Sequence, residues 1–156
     1  MSASLEISKA TEDDLPIILR FIQDLADYER LRDKCVATEE KLRQTLFVDP
    51  RAAEVLIARI DGEAVGFTLF FHSYSTFLAQ RGIYLEDLFV DPAARGNGVG
   101  FALLSSLARL AIERNCGRVE WAVLDWNQLA IDFYERMGAQ HMKEWHVYRI
   151  TIADGA

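Results

Sequence analysis

Three glycines at alternate positions, Gly96, Gly98 and Gly100, stand between an apolar run and a long amphipathic stretch. The run is Leu85-Glu86-Asp87-Leu88-Phe89-Val90, closed by Asp91-Pro92. The stretch, residues 98–115, carries Leu103, Leu104, Leu107, Leu110 and Ala111 at helical spacing. Proline has no N–H for a strand ladder, and the residue before it is driven toward extended conformations, so a strand ends there. Glycines lack a Cβ, take left-handed dihedrals without strain and let the backbone approach a ligand closely. A helix that starts directly after such a loop leaves its first N–H groups unbonded, with its positive dipole end outward. Strand, loop and helix together form an anion site that accepts a diphosphate without a lysine.

Two common phosphate patterns are excluded. The dinucleotide fingerprint fails because Phe101 stands where its third glycine belongs. The Walker A pattern fails because no Gly-Lys-Ser/Thr occurs. What remains is Arg95-Gly96-Asn97-Gly98-Val99-Gly100 behind a Val-x-Pro strand end.

The rest of the chain supplies a frame for this unit. Residues 4–10 alternate as a first strand, and Thr11 with Glu12, Asp13 and Asp14 opens a helix that carries Leu15, Ile18, Leu19, Ile22 and Leu25 on one face. Thr38 opens a second helix, stopped at Asp49-Pro50. Residues 54–60 and 64–73 flank the tight-turn dipeptide Asp61-Gly62 and predict a hairpin, with Gly66 marking a bulge or a close backbone approach. Residues 83–91 and 118–125 predict further strands, residues 129–137 a helix stopped by Gly138, and residues 145–152 a last strand. Consecutive strands imply antiparallel pairing and the later alternation implies parallel crossover. The expected fold is α/β (α+β), a mixed and mainly antiparallel sheet with helices on both faces, in one domain over residues 1–156.

A second motif follows the first: Asp125-Trp126-Asn127-Gln128-Leu129-Ala130-Ile131-Asp132-Phe133-Tyr134-Glu135-Arg136-Met137-Gly138. Asn127 is a helix cap, and Ala130, Phe133 and Tyr134 share one helical face. Both motifs resemble the GNAT acetyltransferase superfamily, whose fold has about seven strands. The resemblance implies that Arg95, Gly96, Asn97, Gly98, Val99, Gly100 and Phe101 hold the diphosphate of acetyl-CoA. It implies that Leu88, Phe89 and Val90 pair with the pantetheine arm, and that Asn127, Gln128, Leu129 and Ala130 close the site. Tyr134 then lies near the thioester sulfur as a general acid, a role suited to a phenol that stays protonated at neutral pH.

The local wording is narrower. Tyr84-Leu85-Glu86-Asp87-Leu88, Asp125-Trp126-Asn127 and Leu25-Ala26-x-Tyr28-Glu29 resemble the diamine (spermidine/spermine) and thialysine N-acetyltransferases. An alkylammonium has a pKa of about 10.4 and only its neutral form attacks a thioester, so the chemistry needs a base. The resemblance puts Glu86 in that role, directly or through water, in a direct transfer within a ternary complex. Asp87 is expected on the opposite face by strand alternation. Tyr28, Glu29, Glu120, Trp121, Ala122 and Glu144 are the other expected substrate contacts. A homodimer with the last strand near the subunit contact is also implied. Acetylation of protein lysines or N-termini, and a non-catalytic CoA sensor, remain open at this point.

Composition narrows the partners. The 156 residues hold 17 Lys and Arg against 24 Asp and Glu, a formal net charge of -7. Such a balance argues against a nucleic-acid partner and suits a cationic small substrate. Cys35 and Cys116 stand far apart, and His72, His141 and His146 make no zinc spacing, so no metal is expected. No signal sequence or membrane-length apolar run is visible, and the cytoplasm is the expected location.

Overall fold

The computed structural model describes residues 4–152. Five strands form one sheet in chain order: β1 (Leu5–Lys9), β2 (Glu54–Ile60), β3 (Glu63–Ser75), β4 (Gln80–Val90) and β5 (Val119–Trp121). The first four pair antiparallel, and β5 runs parallel to β4 after the crossover. The helices are α1 (Leu15–Tyr28), α2 (Glu39–Leu46), α3 (Val99–Glu113) and α4 (Gln128–Arg136). Two caps are those the sequence predicts: Thr38 Oγ1 accepts from the Lys41 N–H at 3.1 Å, and Asn127 Oδ1 accepts from the Ala130 N–H at 3.2 Å. Thr11, expected to cap the first helix, instead precedes a short 3-10 turn at Glu12–Asp14, and Asp14 is the residue before α1.

The apolar runs divide between two cores. Leu15, Ile18, Phe21 and Leu25 of α1 pack with Val55, Ile57, Phe67 and Phe89 on one face of the sheet. Val99, Leu103, Leu104 and Leu107 of α3 pack with Leu56, Ala58, Phe70, Ile83 and Leu85 on the other. Strand β2 feeds both cores with alternate residues, and for that reason it reads as a continuous apolar run.

Asp61 and Gly62 both take positive φ, 50° and 84°, as a tight hairpin turn requires. Gly66 borders a bulge, whose extra residue is Val65, and is also a close approach. The β2–β3 register steps from Ala58↔Gly66 to Arg59↔Ala64. A Cβ built on Gly66 would lie 2.7 Å from the Phe89 carbonyl oxygen. Gly66→Ala is therefore expected to destabilise the fold by about 1–3 kcal/mol, the usual cost of forcing extra atoms into a packed site. Urea unfolding would measure it, and an unchanged midpoint would mean that β3 and β4 move apart freely.

Five strands are described where about seven were expected. Residues 122–125 do not continue β5, because the chain turns into the cap of α4, with the Asn127 N–H donating to Leu124 O at 3.0 Å. Residues 145–152, expected as the last strand, pair with no strand among the described residues.

Candidate active site

The glycine loop has the conformation its sequence requires. Gly96 and Gly98 sit at φ 86° and 75°, and Gly98 is the residue before the first turn of α3. Asn97 Nδ2 donates to the Ala94 carbonyl at 2.9 Å and holds the loop against the short 3-10 turn at Pro92–Ala94. Among the described residues, none of the backbone N–H groups from Gly96 to Phe101 donates to a protein acceptor. Six successive free amides at a helix N-terminus are a cradle for a polyanion. Gly100 faces the Phe133 ring, where a Cβ would come within 3.4 Å, so this glycine also lets α4 close on α3. Val99 is buried in the core while Phe101 is exposed.

The end of α1 folds over this loop. Arg95 lies 5.3 Å from the Tyr28 ring centre, Tyr28 and Trp126 are 6.2 Å apart, and the Arg30 guanidinium stands 4.2 Å over Trp126. The Tyr28 hydroxyl donates to Asn127 Oδ1 at 3.2 Å. Cation–π contacts and one hydrogen bond thus tie the loop, α1 and the α4 cap together. Tyr28, expected at the substrate, is turned toward the cap. In α4, Gln128 bonds Asp132 at 2.7 Å, Leu129 points to solvent and Ala130 is half-buried.

Tyr134 leans on Trp121, with ring centres 5.1 Å apart, and on Phe133 at 5.6 Å. Burial, then Glu29 and Tyr28, push its pKa up to about 12. The phenol is a neutral donor across the physiological range.

A bulge decides the acidic side of the site. The β3–β4 register steps from Leu69↔Asp87 to Phe70↔Leu85, so Glu86 is the extra residue on β4. Ile83 and Leu85 face α3, and beyond the bulge so do Leu88 and Val90, while Phe89 faces α1. The expectation that Asp87 points away from Glu86 is overturned, because the extra residue breaks the alternation. Burial first, then Glu86 and Glu29, raise the Asp87 pKa to about 7. Burial and Glu86 raise that of Glu29, and burial, Glu86 and Glu120 raise that of Tyr84. These mutual effects place Glu29, Glu86 and Asp87 in one acidic group that extends to Tyr134.

Glu120 of β5 pairs with Arg118 at 3.2 Å, the Trp121 ring packs at a tilt against Tyr134, and Ala122 is exposed. Glu144 lies on the exposed segment after α4. No group of three or more His, Cys, Asp or Glu among the described residues is placed to hold a metal ion. No helix among them is long and apolar enough to cross a membrane.

The sequence profile of the Acetyltransferase (GNAT) family matches residues 19–139, from within α1 through the glycine loop to just past the end of α4. The chain is a GNAT acetyltransferase. A thialysine N-epsilon-acetyltransferase of Bos taurus is 40% identical to this acetyltransferase over 94% of the chain and 92% of the relative. An L-ornithine N5-acetyltransferase of Arabidopsis thaliana is 35% identical over 93% of the chain and 83% of the relative. Among solved structures, an integron cassette protein from the mobile metagenome of V. cholerae superposes with a TM-score of 0.80 at 30% identity, over 99% of this chain and 96% of that one.

Two features of the acetyltransferase escaped sequence reasoning. The Arg30–Trp126 stack left no sequence signal. Asp87 did leave one: the apolar phase of Ile83 and Leu85 resumes at Leu88 and Val90, one residue late, as a bulge would make it.

Proposed function

We propose that this enzyme uses acetyl-CoA and transfers the acetyl group directly to the primary amine of a small cationic substrate, a lysine-like amino acid or a polyamine. The observation that carries the reading is the meeting of Tyr134 with the acidic group Glu29, Glu86 and Asp87, on the strand that leads into the amide-lined loop. The thialysine and ornithine activities of the two relatives support a side-chain amine of an amino acid as acceptor.

The residues present fit the cosubstrate. The free amides from Gly96 to Phe101 suit a diphosphate, with Arg95 beside them as a countercharge. Among the described residues, the edge of Leu88, Phe89 and Val90 that faces β5 has no strand partner beyond Leu85, and it offers main-chain groups to the pantetheine amides. Asn127, Gln128, Leu129 and Ala130 border the other side. When bound, acetyl-CoA supplies an activated acetyl group as a thioester.

The chain's own groups divide the proton work. Glu86, exposed at the bulge, takes a proton from the substrate ammonium directly or through water. Asp87 and Glu29 hold the cation beside it, and the arriving positive charge favours their ionised forms. Tyr134 keeps a proton on its hydroxyl for the departing sulfur. Trp121 and Glu120 line the β5 side. We further propose a cytoplasmic homodimer as the working assembly.

Release of free CoA from acetyl-CoA is the test, with thialysine, ornithine, lysine, spermidine, spermine, putrescine and a lysine peptide as acceptors. Turnover is expected with the amino acids or the polyamines. Selectivity between those two groups assigns the acceptor. Release with the peptide alone, or with none of the amines, would overturn the small-amine reading.

A further inference from the structure

Helix α1 closes on a strained arginine. The Leu31 N–H donates to Ala26 O at 2.8 Å, and the Arg30 N–H donates to Asp27 O at 3.1 Å. That pair of bonds ends a helix on a residue in the left-handed region, where glycine is the usual choice. Here the residue is Arg30, at φ 62°. A Cβ crowds the backbone in that conformation, so an arginine there calls for a reason beyond helix termination.

The side chain supplies one. The Arg30 guanidinium stands 4.2 Å over the Trp126 ring, while Arg32 takes the Asp27 carboxylate at 2.7 Å. Trp126 is 39% exposed, so the stack borders solvent and is no part of either core. Two residues at the end of α1 thus hold two successive residues of the α4 cap. Arg30 holds Trp126, and the Tyr28 hydroxyl holds Asn127 Oδ1. Between Tyr28 and Arg30 stands Glu29, whose carboxyl feels Glu86 and belongs to the acidic group.

We infer that Arg30 is a positioning residue that acts through Trp126, tying the α4 cap to the end of α1 so that amine and cosubstrate bind cooperatively. This rests on the acetyl-CoA and small-amine reading proposed above. A cation held by Glu29 steadies the left-handed turn beside it. The turn presents Arg30 to Trp126, and Trp126 carries Asn127 toward the cosubstrate. The coupling is reciprocal by thermodynamic necessity: CoA favours the amine by the same factor by which the amine favours CoA.

Calorimetric titration with CoA reads this coupling without turnover, because CoA carries no acetyl group. It is run alone and with saturating thialysine or spermidine, whichever the release assay favours, on the wild type, Arg30→Gly, Trp126→Leu and the double variant. In the wild type the amine is expected to tighten CoA binding by about fivefold or more. Arg30→Gly is expected to reduce that gain to about twofold or less, the size of change that one partly exposed cation–π contact carries. The KM for the amine should rise in this variant while kcat stays within about twofold. Glycine suits a φ of 62°, so the melting temperature should not fall. An arginine with a merely structural role would affect melting and leave the coupling in place. With Trp126→Leu already present, Arg30→Gly is expected to add nothing, and a further loss there would overturn the route through Trp126. CoA binding with an undiminished coupling in Arg30→Gly, or with no coupling in the wild type, would overturn the positioning role and leave the acetyl-transfer reading standing. No CoA binding at all would overturn that reading and the positioning role with it.

Discussion

Tyr134→Phe lowers the turnover number by about a hundredfold or more while acetyl-CoA affinity stays near that of the wild type; this is the expected size for loss of a positioned general acid. The substitution is nearly isosteric. Phenylalanine keeps the contacts with Trp121 and Phe133, and the Tyr134 hydroxyl has no protein hydrogen-bond partner to orphan among the described residues. What disappears is the one proton that burial and the neighbouring Glu29 keep on the oxygen, with a pKa of about 12. Steady-state kinetics with the best acceptor from the panel, together with calorimetric titration of acetyl-CoA, separates the two effects. Wild-type turnover in the variant would remove Tyr134 from the chemistry.

The second large effect concerns stability. Asp87 has an ordinary pKa of 3.8, raised to about 7 in the fold by burial, Glu86 and Glu29. Below about pH 4 the side chain is protonated in both folded and unfolded chains and contributes no pH dependence. Between that point and about pH 7 the folded chain holds a proton that the unfolded chain has lost, so stability falls as pH rises. Above about pH 7 both forms are ionised and the full penalty is present. The span corresponds to on the order of 4 kcal/mol at most. Asp87→Asn is neutral throughout, so its advantage over the wild type should grow from pH 4 to pH 7 and then level off. Thermal melts of both proteins at pH 5, 6, 7 and 8 give the comparison. Parallel curves would show that Asp87 is ionised in the fold.

Most of the frame could be read from local chemistry. Strand β2 lies at the residues its apolar run predicts, Asp61-Gly62 makes the hairpin turn, and Thr38 and Asn127 cap the helices they were expected to cap. The loop could be read because glycine spacing and a following helix have few physical meanings. What could not be read depends on pairing. Alternation along β4 predicts opposite faces for Glu86 and Asp87, yet the ladder with β3 inserts an extra residue there. Strand β5 is shorter than the strand predicted over residues 118–125 because the cap at Asn127 claims the chain. The pattern of residues 145–152 is that of a strand, but a strand needs a neighbour, and among the described residues none pairs with it.

Strand β5 leaves β4 after three residue pairs, and this has a consequence for how the enzyme tolerates change. Beyond Leu85 the side chains of Leu88, Phe89 and Val90 are committed to the two cores, while among the described residues no strand claims their outward peptide groups. Substitutions that preserve packing at these positions leave those peptide groups where they are, because every residue except proline carries the same main chain. Sequence drift therefore reshapes the hydrophobic layers without erasing the unclaimed edge. Divergence in such a lineage should concentrate in the carboxylates around the bulge, where one altered side chain redraws the charge that an incoming molecule meets.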